Sequence, residues 1–171
     1  MKPSEILVED PAPQRVLITS RAELHQAVGV AIRVATRMLR IIHRDLSVFD
    51  LSSIDATEAL SRLLLGNRNA RVRMLADDPT WLDTGAARLR LLQQRFPHAL
   101  ELRVASQDDP VGDDAQVFAD EHGALELRPT PTARGDLWLR NPPHAQPRVA
   151  AFDRRWNAAS HNLPVTPLGL G

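Results

Sequence analysis

The feature that most constrains this chain is an alternation of short β-branched runs with longer segments of helical periodicity. The runs that read as strands lie at 15–19, 38–42, 71–76 and 100–105. Between them, apolar residues recur at helical spacing. The segments 20–23 and 55–58 have the pattern of a capping box, which predicts a helix start at each. Strands that alternate with helices in this way indicate an α/β fold with a largely parallel, covered sheet.

The pattern changes after residue 106. Segments 116–119 and 124–128 alternate around a polar turn and predict a β-hairpin, and a further short strand is expected at 137–139. A last helix is predicted to begin at Pro147. We therefore predict a mixed, mostly parallel sheet flanked by helices, with a C-terminal hairpin at or near one sheet edge and a closing helix.

The length and the terminal composition predict the domain organisation. A chain of 171 residues is of the size of one domain, which we place at 15–160. Residues 1–14 contain three prolines among acids and are expected to form a flexible arm, and 161–171 are expected to form a flexible tail. No apolar run is long enough for a membrane span, and no secretory signal is recognised. We therefore expect a cytoplasmic chain without a membrane partner.

The basic residues are almost all arginine, which excludes several kinds of chemistry. The chain has 21 basic and 21 acidic residues, and the only lysine is Lys2. Schiff-base catalysis and the Walker phosphate loop both need a lysine within the fold, so neither is expected. The absence of cysteine excludes thiol nucleophiles and cysteine-bound metals. The six histidines form no metal-ligand pair at short spacing, so we predict neither a metal site nor a cofactor.

Polar side chains stand where the predicted strands end, which is where ligands bind in open α/β sheets. His43, Arg44 and Asp45 follow the second strand, and Asp77 follows the third. If the chain is an enzyme, His43, Asp45 and Asp77 are the candidate catalytic residues. The alternative is that these side chains are ordinary solvated loop residues and helix caps, since such residues are common where strands become loops.

Four segments together resemble one half of a phospholipase D-like fold across about 15–160. They are Arg40-Ile-Ile-His-Arg-Asp-Leu46, Ala70-Arg-Val-Arg-Met-Leu-Ala-Asp77, the paired 116–120 and 124–127, and Phe152-Asp-Arg-Arg-Trp156. The resemblance implies the strands and helices around the site, the paired strands that carry the signature, and the closing helix.

The catalytic signature of that family does not carry over. The signature is H-x-K-x4-D, in which the histidine is the nucleophile and the lysine binds phosphate. With Asp120 on the motif aspartate, Asp113 stands at the histidine position and Ala115 at the lysine position. Arg128-Pro129 falls near the Gly-Ser of the family. The resemblance therefore implies a single, catalytically degenerate copy, similar to uncharacterised bacterial domains of the same build.

The resemblance favours a non-enzymatic binding or regulatory module. Arg44, Asp113 and Asp120 are its candidate ligand-binding residues, and the ligand, protein or small molecule, is not identified. Active members with one motif per chain pair two subunits across the site, so a homodimer is expected by analogy.

Two other functions stay open. One is a metal-assisted hydrolase or phosphodiesterase that uses the carboxylates at the strand ends, which we rank below the binding module. The other is nucleic-acid binding through Arg68, Arg71 and Arg73, which the zero net charge does not support.

Overall fold

A computed structural model describes residues 1–159 of the chain. Within this part, seven strands form one sheet with helices on both faces. The strands are β1 (Gln14–Ile18), β2 (Met38–Ile42), β3 (Arg71–Ala76), β4 (Leu100–Val104), β5 (Gln116–Ala119), β6 (Gly123–Leu127) and β7 (Gly135–Leu139). The α-helices are α1 (Arg21–Val34), α2 (Ile54–Gly66), α3 (Thr80–Gly85), α4 (Ala87–Arg95) and α5 (Pro142–Ala158).

The strand order is β1-β7-β6-β5-β2-β3-β4. The pairs β2–β3 and β3–β4 are parallel, and the other neighbouring pairs are antiparallel. Strands β5 and β7 oppose the common direction of the other strands, and this accounts for the antiparallel pairs. The predicted mixed α/β fold, with its hairpin and closing helix, is confirmed. The sheet is not mostly parallel as expected, because the hairpin and β7 make four of the six neighbouring pairs antiparallel.

The hairpin β5–β6 lies in the middle of the sheet, so the expectation that it lies at or near an edge was wrong. β5 pairs with β2 on one side and β6 pairs with β7 on the other. The physical reason is burial on both faces. Val117 and Phe118 are adjacent in β5 and point to opposite faces, and both are almost inaccessible to solvent. A strand with apolar residues on both faces needs cover from both helical layers, which a sheet edge provides poorly.

Two helical layers enclose the sheet. Helices α1, α2 and α4 pack on one face over a large apolar core. Helix α5 packs on the opposite face, where Phe152 and Trp156 contact the core that includes Ile42 and Phe118. The Trp156 side chain is fully buried, and the guanidinium groups of nearby arginines lie over its ring.

Three predicted helix boundaries differ from the structure. Helix α2 begins two residues earlier than the capping pattern indicates, because the Ser53 side chain accepts the N–H of Ala56. Apolar residues at helical spacing also predict one helix from Thr80 to Phe96, but the structure breaks it at Ala86, whose backbone is not helical. Helix α5 begins at Pro142, with Asn141 as its cap, and therefore contains Pro147. Proline is favoured in the first turn of a helix. Pro142 was therefore the better sequence signal for the start of α5 than Pro147.

The segment before β1 has a defined place on the domain. Pro3 and Ile6 are buried against the rest of the chain, and the Arg140 side chain donates to the carbonyl of Val8. Whether residues 1–14 are flexible stays a prediction, as does the 15–160 domain boundary. The predicted tail 161–171 lies outside the described residues. Within residues 1–159, no helix is long and apolar enough to cross a bilayer.

Candidate functional site

The loop after β2 carries His43, Arg44 and Asp45 in a constrained backbone. Leu46 has a φ of 69°, a left-handed conformation that is unfavourable for a branched residue, and its side chain is fully buried. Asp45 Oδ1 accepts the N–H and the hydroxyl of Ser47 at 2.9 and 2.7 Å. This turn fixes the carboxylate of Asp45 next to His43, whose Nδ1 lies 3.1 Å from the same oxygen.

The electrostatics of this pair favour a neutral imidazole beside an ionised carboxylate. Burial lowers the pKa of His43, and Arg44 adds to this, although Asp45 opposes it. Burial alone would raise the pKa of Asp45, but the two Ser47 hydrogen bonds, with His43 and Arg44, outweigh it and lower the pKa. A neutral His43 could accept a proton. The Ser47 hydroxyl donates to Asp45 and not to His43. His43 therefore does not activate this hydroxyl as a nucleophile.

Asp77 holds a second loop in place. Its carboxylate accepts the N–H groups of Val111 and Gly112 at 2.8 and 3.0 Å, and its own N–H donates to the carbonyl of Arg44 at 2.9 Å. From the other side of the same loop, Arg155 pairs with the Asp114 carboxylate at 2.8 Å. The loop that carries Asp113 is therefore tied both to the β2 loop and to α5.

These loops surround one open pocket of about 1100 Å³. Its walls are the β2 loop, the segment 112–115, the start of α1 at Thr19–Arg21, and the β6–β7 loop at 127–134. Of the candidate residues, His43, Arg44, Asp45 and Asp113 line it. Ala115, at the lysine position of the resemblance, lines it too. The structure thus brings together most of the residues that the sequence placed at a site.

Two candidate residues do not reach the pocket. Asp77 does not line the pocket. Its carboxylate instead positions the loop at Val111 and Gly112. Asp120 lies at the opposite end of β5, where its carboxylate accepts the N–H groups of Thr36, Arg37 and Met38 and the hydroxyl of Thr36. Asp120 is buried, so a ligand in the pocket has no access to it. The structure therefore does not bring Asp120 together with the other candidate residues, and a ligand-binding role for Asp120 stays a prediction.

Three pocket arginines are held by no hydrogen bond or ion pair in the described part of the chain. Within residues 1–159, the guanidinium groups of Arg21, Arg44 and Arg134 have no hydrogen-bond or ion-pair partner, and all three side chains are exposed. A fourth, Arg128, pairs with Asp136 at 3.1 Å. The pocket also contains acidic groups, and neither Asp50 nor Asp113 has a side-chain partner in the described part of the chain.

Sequence reasoning missed Arg21 and Arg134. Arg21 lies at the start of α1, directly after β1. Arg134 is placed by the base of the β6–β7 loop, where the Arg128 N–H donates to the carbonyl of Arg134 at 2.9 Å. The available signal was the pair of arginines that flank a short loop rich in Pro and Thr between two predicted strands.

Two of the arginines proposed to bind nucleic acid make contacts inside the domain. Arg71 donates to the main-chain carbonyls of Arg68 and Ala70. Arg73 lies 3.9 Å from the Glu101 carboxylate and over the ring of Trp156. Among residues 1–159, no group of three or more His, Asp or Glu side chains is arranged to hold a metal ion.

Comparison with solved structures shows the fold. Nuc from Salmonella typhimurium, a phospholipase D family member, is similar with a TM-score of 0.62 at 18% identity, covering 88% of this chain and 98% of that one. NucT from Helicobacter pylori has a TM-score of 0.57 at 8% identity, covering 88% and 99%. The archaeal chromatin protein TrmBL2, whose structure shows a novel mode of DNA binding, has a TM-score of 0.62 at 12% identity. The match covers 86% of this chain but only about half of TrmBL2, 54%.

Comparison by sequence shows the family. No curated protein matches this chain. Residues 20–165 match the family described as a domain of unknown function, DUF7931, so the match spans most of the chain. The chain therefore belongs to the DUF7931 family, and its fold is phospholipase D-like.

Proposed function

We propose that this chain is a non-catalytic phospholipase D-like module that binds a phosphate-bearing ligand in the pocket at the end of β2. The observation that carries the proposal is the set of exposed, unpaired guanidinium groups of Arg21, Arg44 and Arg134 around one pocket. Guanidinium groups bind phosphate through charge-assisted and often bidentate hydrogen bonds. Ser20, which caps α1, also lines the pocket, and the positive end of a helix dipole favours an anion.

The non-catalytic part of the proposal rests on the two positions that the resemblance identifies. Asp113 and Ala115 both line the pocket, and neither side chain supplies a nucleophilic imidazole or a cation. A carboxylate at position 113 also repels a phosphate group nearby. It would therefore destabilise the negative charge of the phosphoryl group in a transition state. Binding without turnover is the function that this combination supports best.

The first prediction concerns the arginines. Isothermal titration calorimetry with inorganic pyrophosphate should detect binding that Arg44→Gln or Arg134→Gln each weakens about fivefold, since an exposed ion pair contributes up to about 1 kcal/mol. Added salt should weaken it further. Arg88→Gln is the matched control, because Arg88 is an exposed arginine on α4 outside the pocket lining. Equal loss in the control, or no binding at all, contradicts the proposal. A short single-stranded DNA, titrated in parallel, tests whether the phosphate belongs to a nucleic acid.

The second prediction concerns Asp113. Because its carboxylate is exposed and has no partner within residues 1–159, Asp113→Asn removes repulsion without breaking a contact. The same titration should therefore show pyrophosphate binding that is about two- to fivefold tighter in the variant. Asp83→Asn, a substitution of an exposed aspartate on α3, should leave the affinity unchanged. Weaker binding by Asp113→Asn would mean that the carboxylate helps to hold the ligand.

A phosphodiesterase remains the second candidate, favoured by the His43–Asp45 contact of 3.1 Å inside the pocket. The two functions differ in turnover. We expect no hydrolysis of bis(p-nitrophenyl) phosphate, with or without added Mg²⁺ or Mn²⁺. Hydrolysis that His43→Ala abolishes, in a variant that remains folded, would replace the binding module by an enzyme.

A further inference from the structure

The outer edge of β4 is self-complementary in its charges and in its main-chain hydrogen-bonding groups. β4 is the last strand at one side of the sheet. The carbonyl of Ala99 accepts from the N–H of Val72, and the N–H of Ala105 donates to the carbonyl of Ala76. Since main-chain groups alternate in direction along a strand, the N–H and C=O groups of Leu102 and Val104 point outward, away from β3.

The side chains of Glu101 and Arg103 lie on the α5 face of the same edge. Arg103 donates to the carbonyl of Trp156 at 2.9 Å and covers its ring, and Glu101 lies 3.9 Å from Arg73. Both side chains are only partly buried. An acid and a base thus flank Leu102 symmetrically, one residue to each side and on one face.

We propose that two copies of the chain pair through β4 in antiparallel fashion about a two-fold axis at Leu102. Leu102 then faces the partner's Leu102 as a hydrogen-bonded pair, because its main-chain groups point outward. Glu101 faces the partner's Arg103, and Arg103 faces the partner's Glu101. These are non-hydrogen-bonded positions, at which cross-strand side chains lie closest and opposite charges attract. The result is one continuous sheet with two symmetric ion pairs.

The opposite edge of the sheet lacks this pattern. The only charged residue of β1 is Arg15, so this edge carries no acid and base on one face. A two-fold pairing centred on Val16 places Arg15 against the partner's Leu17, so no charge is compensated. The charge pattern therefore favours β4 over β1 as the edge that joins two copies.

The proposed dimer differs from the one expected by analogy, in which two sites face each other. Antiparallel pairing points the carboxyl ends of the two β2 strands in opposite directions. The two pockets then lie at opposite ends of the joined sheet, and each stays open and complete within one chain.

Analytical ultracentrifugation, from low micromolar to near-millimolar concentration, tests the proposal. The full chain should show a reversible monomer–dimer equilibrium. Glu101→Arg should weaken the dimer about tenfold or more, because symmetry replaces two attractive pairs by two repulsive ones. The charge exchange Glu101→Arg with Arg103→Glu should recover dimerisation, with circular dichroism confirming that each variant is folded.

A second pair of variants avoids these side chains and their contacts inside the domain. Val104→Pro removes one outward N–H per chain, a change that a lone edge strand tolerates, and should weaken the dimer. Val104→Ala keeps the N–H and should dimerise like the original chain. A chain that stays monomeric at the highest concentration overturns the proposal. A dimer that is unaffected by both Glu101→Arg and Val104→Pro also overturns it, since its interface must then lie elsewhere.

Discussion

Replacing Asp120 by alanine is expected to lower the free energy of unfolding by about 3–5 kcal/mol, because it removes several hydrogen bonds to a charged acceptor, each of which contributes about 1.5–3 kcal/mol. The carboxylate accepts the N–H groups of Thr36, Arg37 and Met38 at 2.9–3.0 Å. These three groups connect α1 to β2, and the substitution removes the one carboxylate that accepts all three. Urea denaturation followed by circular dichroism gives the free energy directly.

Asp120→Asn separates charge from backbone effects. Asp120 has a φ of 52°, a left-handed conformation that asparagine tolerates and alanine does not. Asparagine keeps one acceptor oxygen, so a smaller loss of about 2 kcal/mol is expected. Glu121→Ala is the matched control, because Glu121 is the adjacent, exposed acid, and its loss should fall within about 0.5 kcal/mol. A change in Asp120→Ala no larger than this control contradicts the structural role.

The same carboxylate should make the fold sensitive to acid. Burial alone would raise the pKa of Asp120, but the backbone N–H groups of Met38, Arg37 and Thr36 outweigh it and lower the pKa. The unfolded chain therefore binds more protons than the folded one between the two pKa values. The stabilisation is complete above the ordinary aspartate range, near pH 4, and disappears as the pH falls through the lowered value. Asp120→Asn should flatten this part of the stability–pH curve, whereas Glu121→Ala should not.

Gly135→Ala is expected to lower the free energy of unfolding by about 3 kcal/mol or more, from overpacking and lost sheet hydrogen bonds. A Cβ at position 135 would clash with the carbonyl oxygen of Glu126, which is backbone and cannot rotate away. Gly135 pairs with Ile18 on one side and Leu127 on the other. The strand cannot move away from one neighbour without approaching the next.

Gly66→Ala is the matched control for this prediction. Position 66 ends α2, and a Cβ there meets nothing within 4 Å. Alanine should be neutral or slightly stabilising at this position, because it lowers the conformational entropy of the unfolded chain. Thermal unfolding of both variants measures the difference. Equal melting temperatures for Gly135→Ala and the original chain would mean that β6 and β7 separate more easily than their contact indicates.

Local patterns predicted the elements well and their arrangement less well. The strands at 38–42 and 71–76 were predicted to the residue, since apolar β-branched runs between polar turns identify buried strands. The order of strands was not predictable from periodicity. Periodicity reports which faces of a strand are buried, whereas the central place of β5 depends on pairing with β2, about 75 residues earlier in the chain.

The candidate site was predictable as far as it depends on strand ends. His43, Arg44 and Asp45 follow β2 and do line the pocket, because strand ends of one direction meet at one side of a sheet. Asp120 was misplaced, because a match to a sequence motif does not tell at which end of a strand a side chain works. Arg21 and Arg134 were missed, because they reach the pocket only through the strand order, which periodicity does not give.

The two ends of β5 have different roles, and this affects which substitutions the fold can tolerate during evolution. The residue after β5 holds the strand to the start of β2 through the main chain, and the residues before it face the pocket. The anchor and the pocket wall thus lie at opposite ends of one short strand. Substitutions at positions 113 and 115 can change the pocket while the anchor at Asp120 preserves the scaffold. A fold built in this way can acquire a different pocket without losing its sheet.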